Sequence, residues 1–582
     1  MAFSKPRVVV SLDFGTTFSG FAFAHITDPD KVYTFFDYPK TGGRSEKPYC
    51  KTLTGSYYQN VGDAWQFKLW GYPARASKQR ESRPSNDSSQ TTVGKYVTRF
   101  KLHLASKDMG VSSAQELPPG LTVSVLITDY LRAMGDLVLK TLQGHYGAQL
   151  PKAAIQWCVT VPSIWDNDAK ETMKTCMASA GLVNGDDGSC HPLIMVLEPE
   201  AASFFCHKRM SEQVLKVGDK LLVADIGGGT SDIVVQEVVS VGESSYKVRE
   251  VTTSSGGLCG GTYVDTRYIE FLHRRIGPSL QECIIEHPVI LSQLLQVWEH
   301  TKANFGESGS IGESTDIILP IKVITKWEEY NLRMGVPESC SIEELEISYQ
   351  EMQSIFDPVI EQNVQLILRQ LEQVPTGTVK VLVVVGGFAG SPYLMNCIRK
   401  RFAGMVPQII SPPDPGSAVC QGAVMLALNP DTILSRVCKK TYGIKSVKTF
   451  DMSRDPPSYR EEVDGKPKCN MRFSTFVRKG DKVDVNSCIS KLRYPLYRGQ
   501  KSMEIELFSS SETDPRYAVG ETVRREGVIV IDMSKDMTLD KERHVKVSFY
   551  FGRSCMEIKA EAVNFSAGLP EQLELPIEVG FC

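Results

Sequence analysis

The chain has 582 residues, room for three or four core-sized domains at about 150 residues each. Hydrophobic residues make up 42% and charged residues 23%, as in ordinary globular proteins, and 65 basic against 68 acidic side chains leave a formal net charge of -3. This balance excludes the clustered cationic excess behind non-specific nucleic-acid binding, no apolar run approaches the roughly 18 residues of a membrane span, and residues 1–7 lead into Val8-Val9-Val10 with no cleavable signal pattern.

In chain order, short apolar runs at 8–12, 155–161, 193–197, 221–224 and 379–385 predict buried strands between helical stretches, the alternation of an α/β domain. Most of them run into a Gly or Pro turn or a carboxylate, and ligands of open α/β sheets gather at the carboxyl ends of strands. Between residues 75 and 90 the composition shifts to Ser, Arg, Lys, Pro and Asp, which predicts an exposed loop. Ser348-Tyr349-Gln350-Glu351 reads as a capping box. Met352, Phe356, Ile360, Val364, Ile367 and Leu371 then keep near-helical spacing, with a break expected at Pro358 and a second helix capped by Asp357. After about Asn429 the period changes to two: Met503, Ile505 and Leu507, then Val545, Val547, Phe549 and Phe551, then Ile558, Ala560 and Ala562. One buried and one solvated face per strand predicts an antiparallel β-sandwich of about 150 residues. The 15 cysteines contain no C-x-x-C pair and read as reduced, structural thiols of a cytosolic or nuclear protein. Lone histidines such as His103, His191 and His273 read as structural or surface groups.

Three turns share one physical design: Asp13-Phe14-Gly15-Thr16-Thr17, then Asp225-Ile226-Gly227-Gly228-Gly229-Thr230-Ser231-Asp232, then Gly386-Gly387-Phe388-Ala389-Gly390-Ser391-Pro392. Glycines let backbone N–H groups approach phosphate oxygens, hydroxyls add donors, and an Asp at a strand end can hold hydrated Mg²⁺. One such turn says little; two D-x-G turns in succession, followed by a third Gly-Gly turn, are specific.

In this order the turns resemble those of the actin/sugar-kinase/heat-shock ATPase superfamily and, within it, the 70-kDa heat-shock protein family. Val159 to Pro162 with Ala180-Gly181-Leu182, the stretch Leu197-Glu198-Pro199-Glu200-Ala201-Ala202, Cys259-Gly260-Gly261 through Asp265, and Pro415 to Ala423 are similar to further motifs of that family. The string from Val385 to Leu394, with no helices after the last strands, resembles its divergent 12 (12A/12B) branch. The resemblance implies an α/β two-lobed, actin-like ATPase domain (a duplicated ribonuclease-H-like fold) over residues 1–430 and a short linker at 431–440. It also implies an antiparallel β-sandwich over 441–582 resembling a substrate-binding β-domain, without a C-terminal helical lid.

The implied cofactors are ATP or ADP with Mg²⁺. Asp13, Glu198 and Asp225 would hold the metal through its waters. Gly15, Thr16 and Thr17, with Gly227, Gly228, Gly229 and Thr230, would cradle phosphates beside Gly260 and Gly261. Asp232 would order the metal's surroundings. Lys101 falls near the family's catalytic lysine and would act with Glu198, Asp225 and Thr230; Lys95 is the competing candidate. Glu299 and Lys302, three apart on one helical face, suit either a ribose clasp or a surface ion pair. Gly386, Gly387 and Phe388 would flank the adenosine. The implied partners are client proteins or peptides, with co-chaperones or exchange factors, in a stress-response setting in the cytoplasm or nucleus.

The chain departs from the family at Phe388, in place of a small hydroxyl residue, and at Gly390, in place of an Arg that stacks on adenine. Gly416 replaces an Asp, Lys170 replaces an Arg, and no acidic, leucine-rich linker is visible between Asn429 and Tyr442. An aromatic could itself stack on a base. Three readings follow: a lidless chaperone that binds and slowly hydrolyses Mg-ATP and couples this to protein binding, a nucleotide-gated scaffold with little hydrolysis, and a metabolite kinase. The last fits least, since the sandwich has no place in sugar kinases and no acceptor-site Asp stands out.

Overall fold

The structure is a computed structural model that describes residues 5–40, 49–62, 64–81, 94–105, 116–147, 150–183, 191–209, 215–242, 246–307, 312–335, 344–552 and 556–566. The chain divides into two compact units, one formed by Met1–Val234 with Ser255–Pro430 and the other by Val235–Ser254 with Asp431–Cys582.

The first unit carries the same strand arrangement twice. In one sheet Val8–Asp13 pairs antiparallel with Phe18–His25 and parallel with Ile155–Val161, which pairs parallel with Ile194–Leu197. In the other, Lys220–Ile226 neighbours the strand that begins at Ser231 and pairs parallel with Val379–Val385, which pairs parallel with Gln408–Ile410. Both leading strands are buried along their length, as runs such as Val8-Val9-Val10 and Leu221-Leu222-Val223 require. The first ends on Asp13 and the second carries Asp225 one residue before its end, each at the turn into its neighbour. The expected strands are all present, within one or two residues of the bounds read from the sequence.

The helix Ala418–Leu428 ties these elements together. Cys420 and Val424 pack on Val9, Ala22 and Ala24 of the first sheet, and the Ser11 hydroxyl donates to the Cys420 carbonyl at 2.8 Å. Its Gly422 lies against the carbonyl oxygen of Ala201 in the helix Glu198–Arg209, where any Cβ would overlap that oxygen.

Two helical expectations need correction. Pro358 does not break the chain into two helices: one helix runs Tyr349–Leu371 with Pro358 inside it. A proline costs its helix about 3 kcal/mol, and the continuous buried stripe of Met352, Phe356, Ile360, Val364 and Ile367 offsets that. The capping box at Ser348 and Glu351 is present. Of the stretch 75–90 expected as a loop, residues up to 81 belong to the helix Gly71–Glu81, and 82–90 lie outside the described residues. The chain end after Ser566 also lies outside them.

In the second unit, five antiparallel strands run in the order Arg460–Val463, Lys466–Val477, Thr441–Thr449, Ser502–Ser510, Val523–Asp532, and three in the order Ser487–Arg493, Val545–Phe551, Met556–Ala562. The period-two residues of both groups share one core, including Ile444, Met503, Ile505, Leu507, Val545, Val547, Phe549 and Ile558. A further sheet section belongs to this unit: Tyr246–Glu250 pairs antiparallel with residues 236–241 and parallel with Ile433–Val437, which pairs with Lys482–Asp484. The Glu250 carboxylate accepts the Val437 N–H at 3.0 Å.

Asp455 pins the five-stranded group. Its Oδ1 accepts from Arg472 at 2.9 Å, Arg516 at 2.8 Å and the Tyr517 hydroxyl at 2.9 Å, and its Oδ2 accepts the Asp451 N–H at 2.9 Å. Burial alone would raise its pKa, but the Asp451 amide, Arg516, Tyr517 and Arg472 outweigh burial and hold it well below the usual carboxylate range. The resulting stabilisation is therefore full above the unfolded carboxylate's value of about 4 and is lost as pH falls from there toward the depressed folded value. Asp455→Asn is expected to lower the melting midpoint by several degrees at pH 7, with the gap to wild type closing below about pH 4. Melting curves across that range check it, and a gap independent of pH would count against the assignment.

Candidate functional site

The two D-x-G turns and the Gly-Gly turn, distant in sequence, line one cavity of about 540 Å³ inside the first unit, within the size range of small-molecule sites. Most of the residues expected to meet a nucleotide or its metal lie on its wall: Asp13, Gly15, Thr16 and Thr17; Gly227 to Thr230; Gly261, Gly386, Gly387 and Phe388; and Asp225, Glu299 and Lys302. Lys101 and Glu198 lie there as well. Gly260 and Asp232 do not line it, and Lys95 sits in the strand Gly94–Thr98 opposite Tyr58, away from the cavity.

The second turn is built as an anion cradle. Gly227 N–H bonds the Thr230 carbonyl at 2.9 Å and closes the turn. The carbonyls of Gly227, Gly228 and Gly229 accept from Gly261, Thr262 and Gly260 at 3.0, 2.8 and 3.3 Å. Gly260 thus works from behind the wall, and a Cβ on it would come 2.5 Å from the Gly228 carbonyl oxygen. The amides of Gly228, Gly229 and Thr230 have no backbone acceptor among the described residues, which is the arrangement of a backbone nest. Gly228 and Gly229 also touch Thr17 and Thr16 so closely that neither tolerates a Cβ, which joins the two turns across the cavity. Thr17 Oγ1 is buried with no hydrogen-bond partner among the described residues. In the third turn Gly386 has φ +93°, and a Cβ there would strike Asp225.

The charges are arranged in pairs. Lys101 Nζ donates to Glu198 Oε1 at 2.7 Å beneath the Trp165 ring, and both side chains are buried. Burial pushes the Glu198 carboxyl up to about 7, with Asp232 and Asp13 adding to the rise and Lys101 opposing it. Lys51, which no sequence motif singles out, lies 2.6 Å from Asp13 Oδ2. Thr160 Oγ1 donates to the other oxygen of Asp13 at 3.2 Å. Asp225 has no ion-pair partner among the described residues, and burial, then Glu198 and Asp232, push its carboxyl well above the usual range despite Lys51. Asp232 accepts from the Ser163 amide at 2.8 Å and from its hydroxyl.

Of the two alternatives for Glu299 and Lys302, a ribose clasp or an ion pair with each other, the ion pair is not formed. Glu299 pairs with Arg75 at 3.2 Å, and Lys302 with Asp265 at 2.6 Å. Asp265 also accepts from Trp298 Nε1 at 3.1 Å and faces Arg99 at 3.6 Å. Glu299 and Lys302 therefore line the cavity held by flanking elements. At that end Gly390 and Ala303 present almost no side chain. Phe388 is buried, with its ring centroid 6.5 Å from that of Phe356. Lys170 is buried outside the cavity, its Nζ without a partner among the described residues.

Lys51, Tyr49, Tyr72 and Ala303 of the cavity wall escaped sequence reasoning. Lys51 left one signal, as the lone charge in the stretch from Pro48 to Val61. The donor set fits Mg²⁺ and a nucleotide phosphate: amides without acceptors, a buried unpartnered hydroxyl, and a carboxylate with no ammonium of its own.

The family model described as "Hsp70 protein" matches residues 113–453, more than half of the chain. Human "Heat shock 70 kDa protein 12A" is 25% identical, covering 96% of this chain and 90% of that protein. Human "Heat shock 70 kDa protein 12B" is also 25% identical, covering 96% and 89%. "Heat shock 70 kDa protein 12A" of Mus musculus is 26% identical, covering 96% and 90%. The matched family has a two-lobed actin-like ATPase fold and generally binds ATP or ADP with Mg²⁺, and among the described residues no helix is long and apolar enough to cross a membrane. With paired D-x-G turns on a duplicated α/β frame, this chain belongs to the 70-kDa heat-shock protein family, as a nucleotide-binding member of its divergent 12-like branch.

Proposed function

We propose that the chain binds Mg-ATP and Mg-ADP in this cavity, hydrolyses ATP slowly, and uses nucleotide state to bias protein or peptide binding by the C-terminal pair of sheets acting as a lidless β-sandwich. The observation that carries the reading is the cradle: six residues of two turns, Gly15 to Thr17 and Gly228 to Thr230, line one cavity with amides that have no backbone acceptor among the described residues. Asp225, with Glu198 and Asp13 nearby, would hold Mg²⁺, which when bound offsets phosphate charge. Phosphoryl transfer asks mainly for positioning and charge neutralisation. Lys101 supplies a fixed ammonium, and Glu198, with its carboxyl near 7, is matched to take a proton from an attacking water. Client proteins, with co-chaperones or exchange factors, are the partners this reading calls for, in the cytoplasm or nucleus.

A scaffold with little hydrolysis is the second reading. The Lys101–Glu198 pair favours it, because Lys101 engages one Glu198 oxygen and opposes the rise in its carboxyl. Isothermal titration with Mg-ATP, Mg-ADP and Mg-GTP, followed by phosphate release on the same sample, separates the two. Tight adenine-nucleotide binding with slow release of phosphate is expected. Binding without turnover favours the scaffold, and no binding of any nucleotide would overturn both readings.

A further inference from the structure

Lys51 is a charged residue where the fold provides little reason for one. It enters from a short segment that crosses the first sheet at Gly20, the residue paired with Asp13 across the hairpin. A Cβ at Gly20 would meet the Cys50 carbonyl oxygen at 2.6 Å and Lys51 Cγ at 2.9 Å, so the missing side chain is what admits the segment. Tyr38 holds it there: its hydroxyl accepts the Phe21 N–H at 3.0 Å and donates to the Cys50 carbonyl at 3.3 Å. The Lys51 side chain is one-tenth exposed and lines the cavity. An ammonium has three donors. Lys51 is ion-paired with Asp13 Oδ2 at 2.6 Å, an oxygen that has no hydrogen-bond partner among the described residues. Asp13 in turn accepts from Thr160 on one oxygen and is ion-paired with Lys51 through the other.

We infer that Lys51 is a phosphate-binding residue of this site, a built-in cation that occupies Asp13 and meets the terminal phosphates of a nucleotide itself, leaving the metal to Asp225. This rests on the reading of the cavity as a nucleotide site. A tethered ammonium is present whether or not a divalent cation is, so part of the phosphate affinity becomes independent of metal. Lys101, held on Glu198, provides a second ammonium on the same floor.

The test is ADP binding to the full chain by isothermal titration, in Mg²⁺ and in EDTA, for wild type, Lys51→Met and the double variant Lys51→Met/Asp13→Asn. The double variant removes both charges with near-isosteric groups and stays interpretable where the single variant, with its orphaned carboxylate, does not fold. Wild type is expected to retain measurable ADP affinity in EDTA. Both variants are expected to lose about 10- to 100-fold in EDTA, the range for a lost charge-assisted hydrogen bond. Wild-type affinity in the double variant would overturn the inference, since Lys51 would then serve only to neutralise Asp13. So would ADP binding by wild type that vanishes in EDTA. Absence of binding by wild type even in Mg²⁺ would bring down the nucleotide reading itself, and this inference with it.

Discussion

Asp225→Asn is expected to raise the melting temperature of the nucleotide-free protein and, at the same time, to abolish the Mg²⁺-dependent part of its nucleotide affinity. The two effects have one cause. Asp225 is buried near the end of a strand, close to Glu198 and Asp232, and among the described residues lacks the ammonium partner that Asp13 and Glu198 each possess. A buried carboxylate without a cation is unfavourable, and burial with like charges holds its pKa well above the usual range. Between the unfolded value of about 4 and that raised value the folded state binds more protons than the unfolded one, so stability falls as pH rises through this window. Asn keeps the shape and removes the charge, so the variant's advantage in stability should grow with pH. Divalent binding would cancel the same penalty in wild type, and only there. Phosphate release, where present, should drop on the order of 100-fold, by analogy with loss of a transition-state-stabilising group. Melting curves with and without Mg-ADP at two pH values read out both halves, and a variant less stable than wild type at high pH would refute the argument.

Gly422→Val is expected to be the most destabilising single change in the first unit. The obstacle is a backbone carbonyl, that of Ala201, which cannot rotate aside as a side-chain tip can. Ordinary overpacking costs about 1–3 kcal/mol; with backbone on one side and the Val9, Ala22 and Ala24 face on the other, the loss should exceed about 3 kcal/mol. Nucleotide binding should fall with it, since the helix that would be displaced begins at Glu198 and Val419 lines the cavity. Gly422→Ala should show a smaller loss of the same sign. Denaturant midpoints for the pair decide the matter, and two variants melting with wild type would show that the helices separate freely.

The strands and the Gly-rich turns were legible because their signals are local. A run such as Val8 to Leu12 has few alternatives to a buried strand, and Asp-x-Gly after it reports a turn whose backbone must come close to something. The helix at Tyr349 was legible in its cap and its stripe but not in its continuity, because the local penalty of Pro358 is outweighed by burial that only tertiary contacts supply. Glu299 and Lys302 were found, yet their true partners, Arg75 and Asp265, lie hundreds or tens of residues away and share no spacing with them. Lys51 illustrates the limit most clearly. Nothing beside it in the chain announces a charge partner, and its meaning comes from Gly20 and Asp13, brought together by the hairpin.

The strand that leaves the phosphate turn at Ser231 continues to Val241, and its distal half counts with the residues after Pro430. This bears on how the molecule can be cut. A recombinant fragment started at Asp431 would lack Tyr246–Glu250, the partner of Ile433–Val437, and the Glu250 carboxylate that holds Val437. Its first strand would present a bare edge, the usual template for pairing with other copies. A soluble C-terminal piece should therefore carry residues 235–254 grafted ahead of 431 by a short flexible tether, and the simple truncation should precipitate where the graft stays monomeric.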